Sequence, residues 1–371
     1  MPDRQRSFPR GIYSHEVENV KKKLPILLGG AALLAFFILL PDTARSAVES
    51  GLSVCGKVLI PSLFPYFAVS ELLIVSGAAQ AAAKRLGRRI SGIFHLPPVV
   101  SVAWTLGLLG GYPVGAKMIG ELCREGQLTK RDAEAALPLC SNAGPALFFG
   151  MIGGTLLGNS AAGAVLFAIH VASSVIVGLI IRPKRASAEE KRMPCLPERS
   201  FSEALTDSVK NAANAMFNVC AFVVFFSVIA AAAGEVLKGV PTAALLIRCT
   251  AELTGGAVAL AGSALPWAVK FPLLAALAAW GGLSVHLQSM ALLRGCDLKM
   301  KKYFTGKALH AAVSAALALP VAPLLQSVQS AAAIPSRFAP LSPLPWLGLS
   351  VGIVFLIFLQ IPTGNSGRNV V

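Results

Sequence analysis

From Ile90 to Ala116 the chain runs without a single Asp, Glu, Lys or Arg, and near the end of that stretch stands Gly110-Gly111-Tyr112-Pro113-Val114-Gly115. A stretch of this length suits a membrane-spanning helix, which needs about 20 mainly apolar residues. Gly and Pro together interrupt a helix, however, and lipid offers no partner to a freed N–H or C=O. Irregular backbone at membrane depth survives only where it is buried in protein or lines a polar cavity. Broken helices of this kind build the substrate sites of secondary transporters. Lys117 follows the break directly, and a cation at membrane depth is costly to keep without a role.

The same absence of charge recurs at Leu24–Pro41, Ala135–Ile181, Asn211–Gly234, Phe271–Leu293, Ala308–Ser336 and Phe338–Gly367. Only 14% of the 371 residues are charged, against roughly 25% in soluble domains. The expected fold is an all-α polytopic integral membrane protein. It should have eight to ten membrane segments in two distantly related repeats, some of them interrupted or re-entrant. The net charge of +15 gathers at segment ends: Lys21–Lys23, Lys84-Arg85 with Arg88-Arg89, Arg182–Arg185, and Lys299 with Lys301-Lys302. That is the positive-inside pattern of cytoplasmic loops. No basic face interleaves with aromatics, which argues against nucleic acid as a partner. The seven cysteines form no C-x-x-C pair and read as small buried hydrophobes.

Residues 1–23 are expected as a cytoplasmic tail, with a first transmembrane helix from Leu24 rather than a cleaved signal. Residues 24–181 form the first membrane repeat. The proline-bearing polar stretch 182–200 is the cytoplasmic linker. Residues 201–325 form the second repeat, and 326–371 a loop, a C-terminal transmembrane helix and a tail. The halves share an order of features. Ala47–Ser70 resembles Ala204–Ser227, and Leu109–Val114 resembles Trp280–Val285. The charged turn Arg124–Lys130 resembles Arg294–Lys299. Parallel and inverted duplication both remain open, and the weaker basic bias of 124–134 leans toward inversion.

Four groups of polar residues are candidates for a solute site. Gly110, Gly111, Tyr112, Pro113 and Gly115 unwind the backbone, and Lys117 adds a charge, a combination suited to an anion. Ser141, Asn142, Gly144 and Pro145 interrupt the longest charge-free stretch and carry donors and acceptors. Asn211, Asn214 and Asn218 share one helical face and either line a polar cavity or bond to neighbouring helices. Ser284, His286 and Gln288 alternate with apolar residues after Gly281-Gly282, as the apex of a re-entrant hairpin would. Glu71 stands apart as a carboxylate near membrane depth, while Arg248 and Glu252 are spaced to pair on one helix. No phosphate loop, H-E-x-x-H or G-x-S-x-G is present, and the five histidines do not cluster as metal ligands. No enzyme activity, cofactor or metal is expected. The expected partners are the lipid bilayer and a small anionic solute, with homo-oligomerisation left open.

Gly110–Lys117, Cys140–Pro145 and the upstream Leu59-Ile60-Pro61-Ser62-Leu63-Phe64-Pro65 together resemble the YlbJ (SpoVV) type of sporulation integral membrane protein. The resemblance covers most of Leu24–Leu325. It implies Gate domains of the type found in concentrative nucleoside transporters and ferrous-iron transport proteins. It also implies transport of dipicolinic acid, an aromatic dianion, across the outer forespore membrane of a sporulating bacterium. A nucleoside-type solute, or a membrane scaffold for the spore envelope, is the alternative.

Overall fold

A computed structural model of the chain describes residues 24, 27–76, 87, 89, 91–184, 200–237 and 239–325. The tail 1–23, most of the linker, and 326–371 with its expected C-terminal helix lie outside the described residues. Among the described residues the secondary structure is helical throughout. Four helices among the described residues are long and apolar enough to cross a membrane, and Leu27–Leu39, Val100–Gly110 and Ala146–Leu156 are shorter apolar helices. The charge-free stretches Ile90–Ala116 and Ala135–Ile181 are each cut by a break, which yields shorter helices instead of spans.

In chain order the helices are α1 (Leu27–Leu39), α2 (Pro41–Val75), α3 (Val100–Gly110) and α4 (Tyr112–Arg124), then α5 (Lys130–Cys140), α6 (Ala146–Leu156) and α7 (Ser160–Ile181). The second half holds α8 (Phe201–Val236), α9 (Pro241–Ala251), α10 (Leu253–Ala261), α11 (Trp267–Trp280), α12 (Gly282–Leu292) and α13 (Lys301–Ala318). Ser200 starts α8 with a capping box, its hydroxyl accepting from the Glu203 N–H while the Glu203 carboxylate accepts from the Ser200 N–H; this satisfies two donors that a helix start leaves free. Asn159 caps α7 in the same spirit, through Ala162 N–H.

Two of the breaks turn the chain back on itself. At Gly111 (φ 86°) α4 doubles back along α3. A methyl group on Gly107 would lie 3.1 Å from the Cα of Gly115, and one on either glycine would collide with the Cys140 carbonyl. Only hydrogen at these two positions lets α3, α4 and the end of α5 approach so closely. At Glu252 α10 doubles back along α9, and a methyl on Gly256 would lie 2.8 Å from the Cα of Cys249. The other two breaks behave differently. Ser141–Pro145 separates α5 from α6, and Gly281 (φ 87°) separates α11 from α12 within the stretch Trp267–Leu292.

One end of the bundle is held by polar and charged contacts. There the turns 125–129 and 293–300 are tied together. Lys130 Nζ lies 2.6 Å from Asp297 Oδ2, Lys299 N–H donates to Glu134 at 2.9 Å, and Arg124 donates to the Leu292 carbonyl at 3.1 Å. The Lys130 ammonium holds the Asp297 carboxyl below the usual carboxylate range, so this tie persists into mild acid. Arg182 joins the same end, donating to the Ile93 carbonyl. The basic run Lys299, Lys301, Lys302 and Lys307 reads in the sequence as a cytoplasmic loop. Instead α13 begins at Lys301, and Lys307 is carried two turns into the protein, where it is fully buried.

The core gathers around α3 to α7, α11 and α13. α2 and α8 pack on each other along most of their length, with a methyl on Gly51 only 3.0 Å from the Cα of Val224. Their outer faces expose Leu52, Ile60, Val69, Phe217 and Phe225. An apolar exterior on helices of this length is what lipid contact requires, and the chain is a polytopic α-helical membrane protein.

Candidate functional site

The four breaks meet. A methyl on Gly144 would lie 3.2 Å from Gly111 N, and one on Gly282 would lie 2.9 Å from Leu253 N. Tyr112 bridges the two pairs. Its ring sits 3.2 Å from a methyl built on Gly281, and its hydroxyl donates to the Ala278 carbonyl. Between them lies a cavity of about 110 Å³. Its wall is formed by Gly110–Val114, Ala143-Gly144, Ala146-Leu147, Glu252–Thr254, Ser284-Val285 and Gln288, closed by Leu63, Phe67 and Glu71 of α2 and by Ala215 and Val219 of α8.

The orientation of these helices matters more than their identity. The cavity wall takes the first residues of α4, α6, α10 and α12. Each helix start carries roughly half a positive charge and N–H groups that point along the axis. The starts of α4, α6 and α12 have no side-chain cap and lend the cavity positive character without a formal cation, whereas the start of α10 is already met by a carboxylate. Two carboxylates border it, and both are engaged. Glu252 accepts from Thr254 N–H at 2.9 Å, Thr254 Oγ1 and Gly255 N–H, and so caps α10. Glu71, half-buried, accepts from Asn211 Nδ2 at 3.3 Å. Ser284 is 1% exposed, and its hydroxyl has no hydrogen-bond partner although it lines the cavity. A buried hydroxyl without a partner costs stability, and its place in this wall makes it available to a solute.

The expected site residues divide. Gly110, Gly111, Tyr112, Pro113, Gly144, Ser284 and Gln288 line the cavity. Gly115 does not, because its role is the close approach of α3, α4 and Cys140. Lys117 is exposed, 3.9 Å from Glu121 one helical turn on, and is not among the residues that line the cavity. Asn214 and Asn218 are exposed too, since the face of α8 that meets the cavity carries Ala215 and Val219 instead. His286 is buried behind the wall because Ser284–Gln288 is helical, not extended. Spacing of four puts Ser284 and Gln288 on one face, while His286 turns toward α13, 3.0 Å from the Tyr303 hydroxyl. Glu252 was expected to pair with Arg248 on one helix, and it stands at the break as a cap instead. Pro145 is the residue that precedes α6, its N-cap, just outside the wall.

Ser141 and Asn142 are fully buried on the far side of their break. Asn142 Nδ2 donates to the Leu139 carbonyl at 2.6 Å and holds the end of α5. The Ser141 carbonyl accepts from Lys307 Nζ at 3.0 Å. Lys307 also lies 3.1 Å from His310 Nδ1 and 4.7 Å from the centre of the Tyr112 ring. His310 Nε2 donates to the His170 carbonyl at 3.0 Å, and His170 Nε2 accepts from the Ala143 N–H at 3.0 Å. Sequence reasoning missed this cluster. Its signal was the polar stripe Tyr303, Lys307, His310, Ser314, spaced to share one face of α13 but masked by the basic run before it.

The chain is a distant homologue of the sporulation integral membrane protein YlbJ of Bacillus subtilis (strain 168). It is 24% identical to that protein over 320 residues, 76% of this chain and 78% of the relative. No family model matches the chain, so the Gate domain finds no support from that side. No solved structure matches it either.

Proposed function

We propose that the chain is a secondary transporter that passes a small organic anion across a bacterial membrane by alternating access. One observation carries the reading: an unpartnered buried hydroxyl, Ser284, inside a cavity walled by four helix N-termini. Helix starts bind anions through backbone N–H groups and the dipole, and unwound helices at midmembrane are where secondary transporters place their solutes. Most of the remaining wall is apolar, from Leu63, Phe67, Leu147, Val219 and Val285, which suits the faces of a flat ring. A small aromatic carboxylate fits both halves of that description. The sporulation role printed for the YlbJ relative, together with the family resemblance, makes dipicolinate the first anion to try and the outer forespore membrane the place to look.

The order of elements supports an inverted duplication. Each half runs as a long helix, a hairpin with its break at the tip, a helix broken midway, and another long helix. In this order Gly111 corresponds to Glu252, and Ser141–Pro145 corresponds to Gly281. That pairing differs from the one motif similarity suggested. Counting crossings places the α3–α4 hairpin at the basic end and the α9–α10 hairpin at the opposite end. Lys130, Lys299, Lys301 and Lys302 mark the basic end as cytoplasmic by the positive-inside rule.

Purified protein in liposomes preloaded with unlabelled dipicolinate should take up labelled dipicolinate by exchange, and liposomes preloaded with uridine should not take up labelled uridine. Uridine exchange alone would transfer the chain to the nucleoside-type reading. Exchange of neither, with protein inserted and folded, would favour the scaffold reading.

A further inference from the structure

Lys307 places its amine in the wrong surroundings for a structural residue. It is fully buried, yet its polar neighbours are a carbonyl oxygen, a histidine nitrogen and the face of an aromatic ring. Taking a charge out of water is costly unless an opposite charge and hydrogen bonds compensate. The ionisable groups around it can be followed element by element. His310 and Tyr303 lie on α13 itself, His170 on α7, Cys140 at the end of α5, Tyr112 on α4 and His286 on α12. The ionisable side chain of α11, Lys270, is held elsewhere by the Ala261 and Ser263 carbonyls. Among the described residues no carboxylate forms an ion pair with Lys307.

The lysine is nevertheless wired to the cavity. Its hydrogen bond to the Ser141 carbonyl holds the break whose next residues, Ala143 and Gly144, form the wall. The Tyr112 ring over which it sits is part of the same wall. A negative charge in the cavity would therefore act on Lys307 across a single layer of side chain and backbone, where screening is weak. Lysine can give up and regain a proton under burial, which arginine does not do. His310, bonded to Nζ on one side and to the His170 carbonyl on the other, offers a second nitrogen beside the amine.

Resting on the reading of the cavity as an anion site, we propose that Lys307 is the proton-binding residue that couples passage of the anion to passage of a proton. As the anion enters, the Nζ lone pair takes up one proton, and the ammonium so formed gains the counter-charge its surroundings lack. As the anion leaves on the other side, the N–H bond gives that proton back to water. No other bond is made or broken. Empty protein carries neither charge across, and loaded protein carries both.

The test uses the full chain in liposomes, with membrane voltage clamped by potassium and valinomycin, pyridine-2,6-dicarboxylate as the probe anion and a pH dye inside. With the outside made acidic, wild type should accumulate the probe several-fold above its external concentration and acidify the interior as it does so. Lys307→Met and Lys307→Arg should still exchange labelled for unlabelled probe at a reduced rate, yet accumulate none above the external level and give no dye response. Lys307→Arg serves where the methionine variant fails to reach the membrane. Accumulation by either variant at the wild-type level would overturn the proposal. So would loss of exchange in both variants at normal abundance, which would make Lys307 part of the anion site itself. Wild-type exchange that ignores the pH gradient would overturn the proton role and leave the cavity reading intact, whereas wild type that neither exchanges nor accumulates the probe would overturn both.

Discussion

The break at Ser141–Pro145 separates two regions of opposite chemistry. Toward α2 and α8 lies the cavity, open space bounded by hydrocarbon and helix starts, with one hydroxyl left unpaired. Toward α7 and α13 lies a filled cluster in which Lys307, His310, His170, Ser173 and Ser314 bond to one another and to the backbone. The Ser173 and Ser314 hydroxyls, for instance, lie 2.6 Å apart. Ser141 Oγ, Asn142 Oδ1, His170 Nδ1 and His286 Nε2 are buried there without a partner too, but none of these residues lines the cavity. What sets the cavity side apart is that its unpartnered group, the Ser284 hydroxyl, borders open space in which a solute can meet it. Lys307 apart, changes on the cluster side should therefore be felt mainly in stability, and changes on the cavity side mainly in solute affinity.

The largest effect should come where both regions depend on one contact. Gly115→Ala would drive a methyl group into the Cys140 carbonyl. Overpacking typically costs about 1–3 kcal/mol, and more where only backbone can move. Low yield of folded protein and a clearly lowered Tm are expected, with solute binding lost at the same time. A normal Tm would show that α5 can retreat without damage, and that the two regions are less tightly joined than the glycines suggest.

A crossed pair of substitutions separates the regions. Asn142→Ala, on the cluster side, removes the bond from Nδ2 to Leu139 O. A loss of about 0.5–1.5 kcal/mol in stability is expected, with affinity for dipicolinate little changed. Ser284→Ala, on the cavity side, should leave Tm equal to wild type or slightly higher, because an unpaired buried hydroxyl disappears. Affinity should fall by about 2- to 10-fold, the equivalent of one ordinary hydrogen bond. Thermal melts and titration calorimetry read both quantities, and the reverse assignment of effects would break the comparison. The smallest effect belongs to Lys117→Met. The residue is exposed and its contact with Glu121 is a long surface pair, worth at most about 0.5 kcal/mol, so exchange of the anion should stay near the wild-type rate.

How far the sequence reveals this arrangement depends on the type of signal. Gly111, Gly144 and Gly281 announce themselves, since glycine and proline inside charge-free stretches have few other meanings. The fourth break is harder to see. Glu252 has no proline beside it, and its carboxylate turns the chain by capping α10. Spacing places Asn211, Asn214 and Asn218 on one face correctly, yet periodicity alone does not say which face meets the protein. Ala215 and Val219, one position farther on, do so. Lys307 is hidden by its context, because Lys299, Lys301 and Lys302 make the whole segment read as a cytoplasmic loop. Burial of that kind is a tertiary fact, set by α5, α7 and α11 closing over one side of α13.

Filling the cavity from outside its helix starts tests the account most directly. Ala215→Trp projects an indole from α8 into the cavity, while Asn214→Trp places the same side chain on the exposed face one residue away. Binding of dipicolinate to the purified, folded variants is the measurement. The account predicts that Ala215→Trp binds none and that Asn214→Trp binds as wild type does. Equal binding by the two would mean that the solute does not occupy the space where the four helices begin.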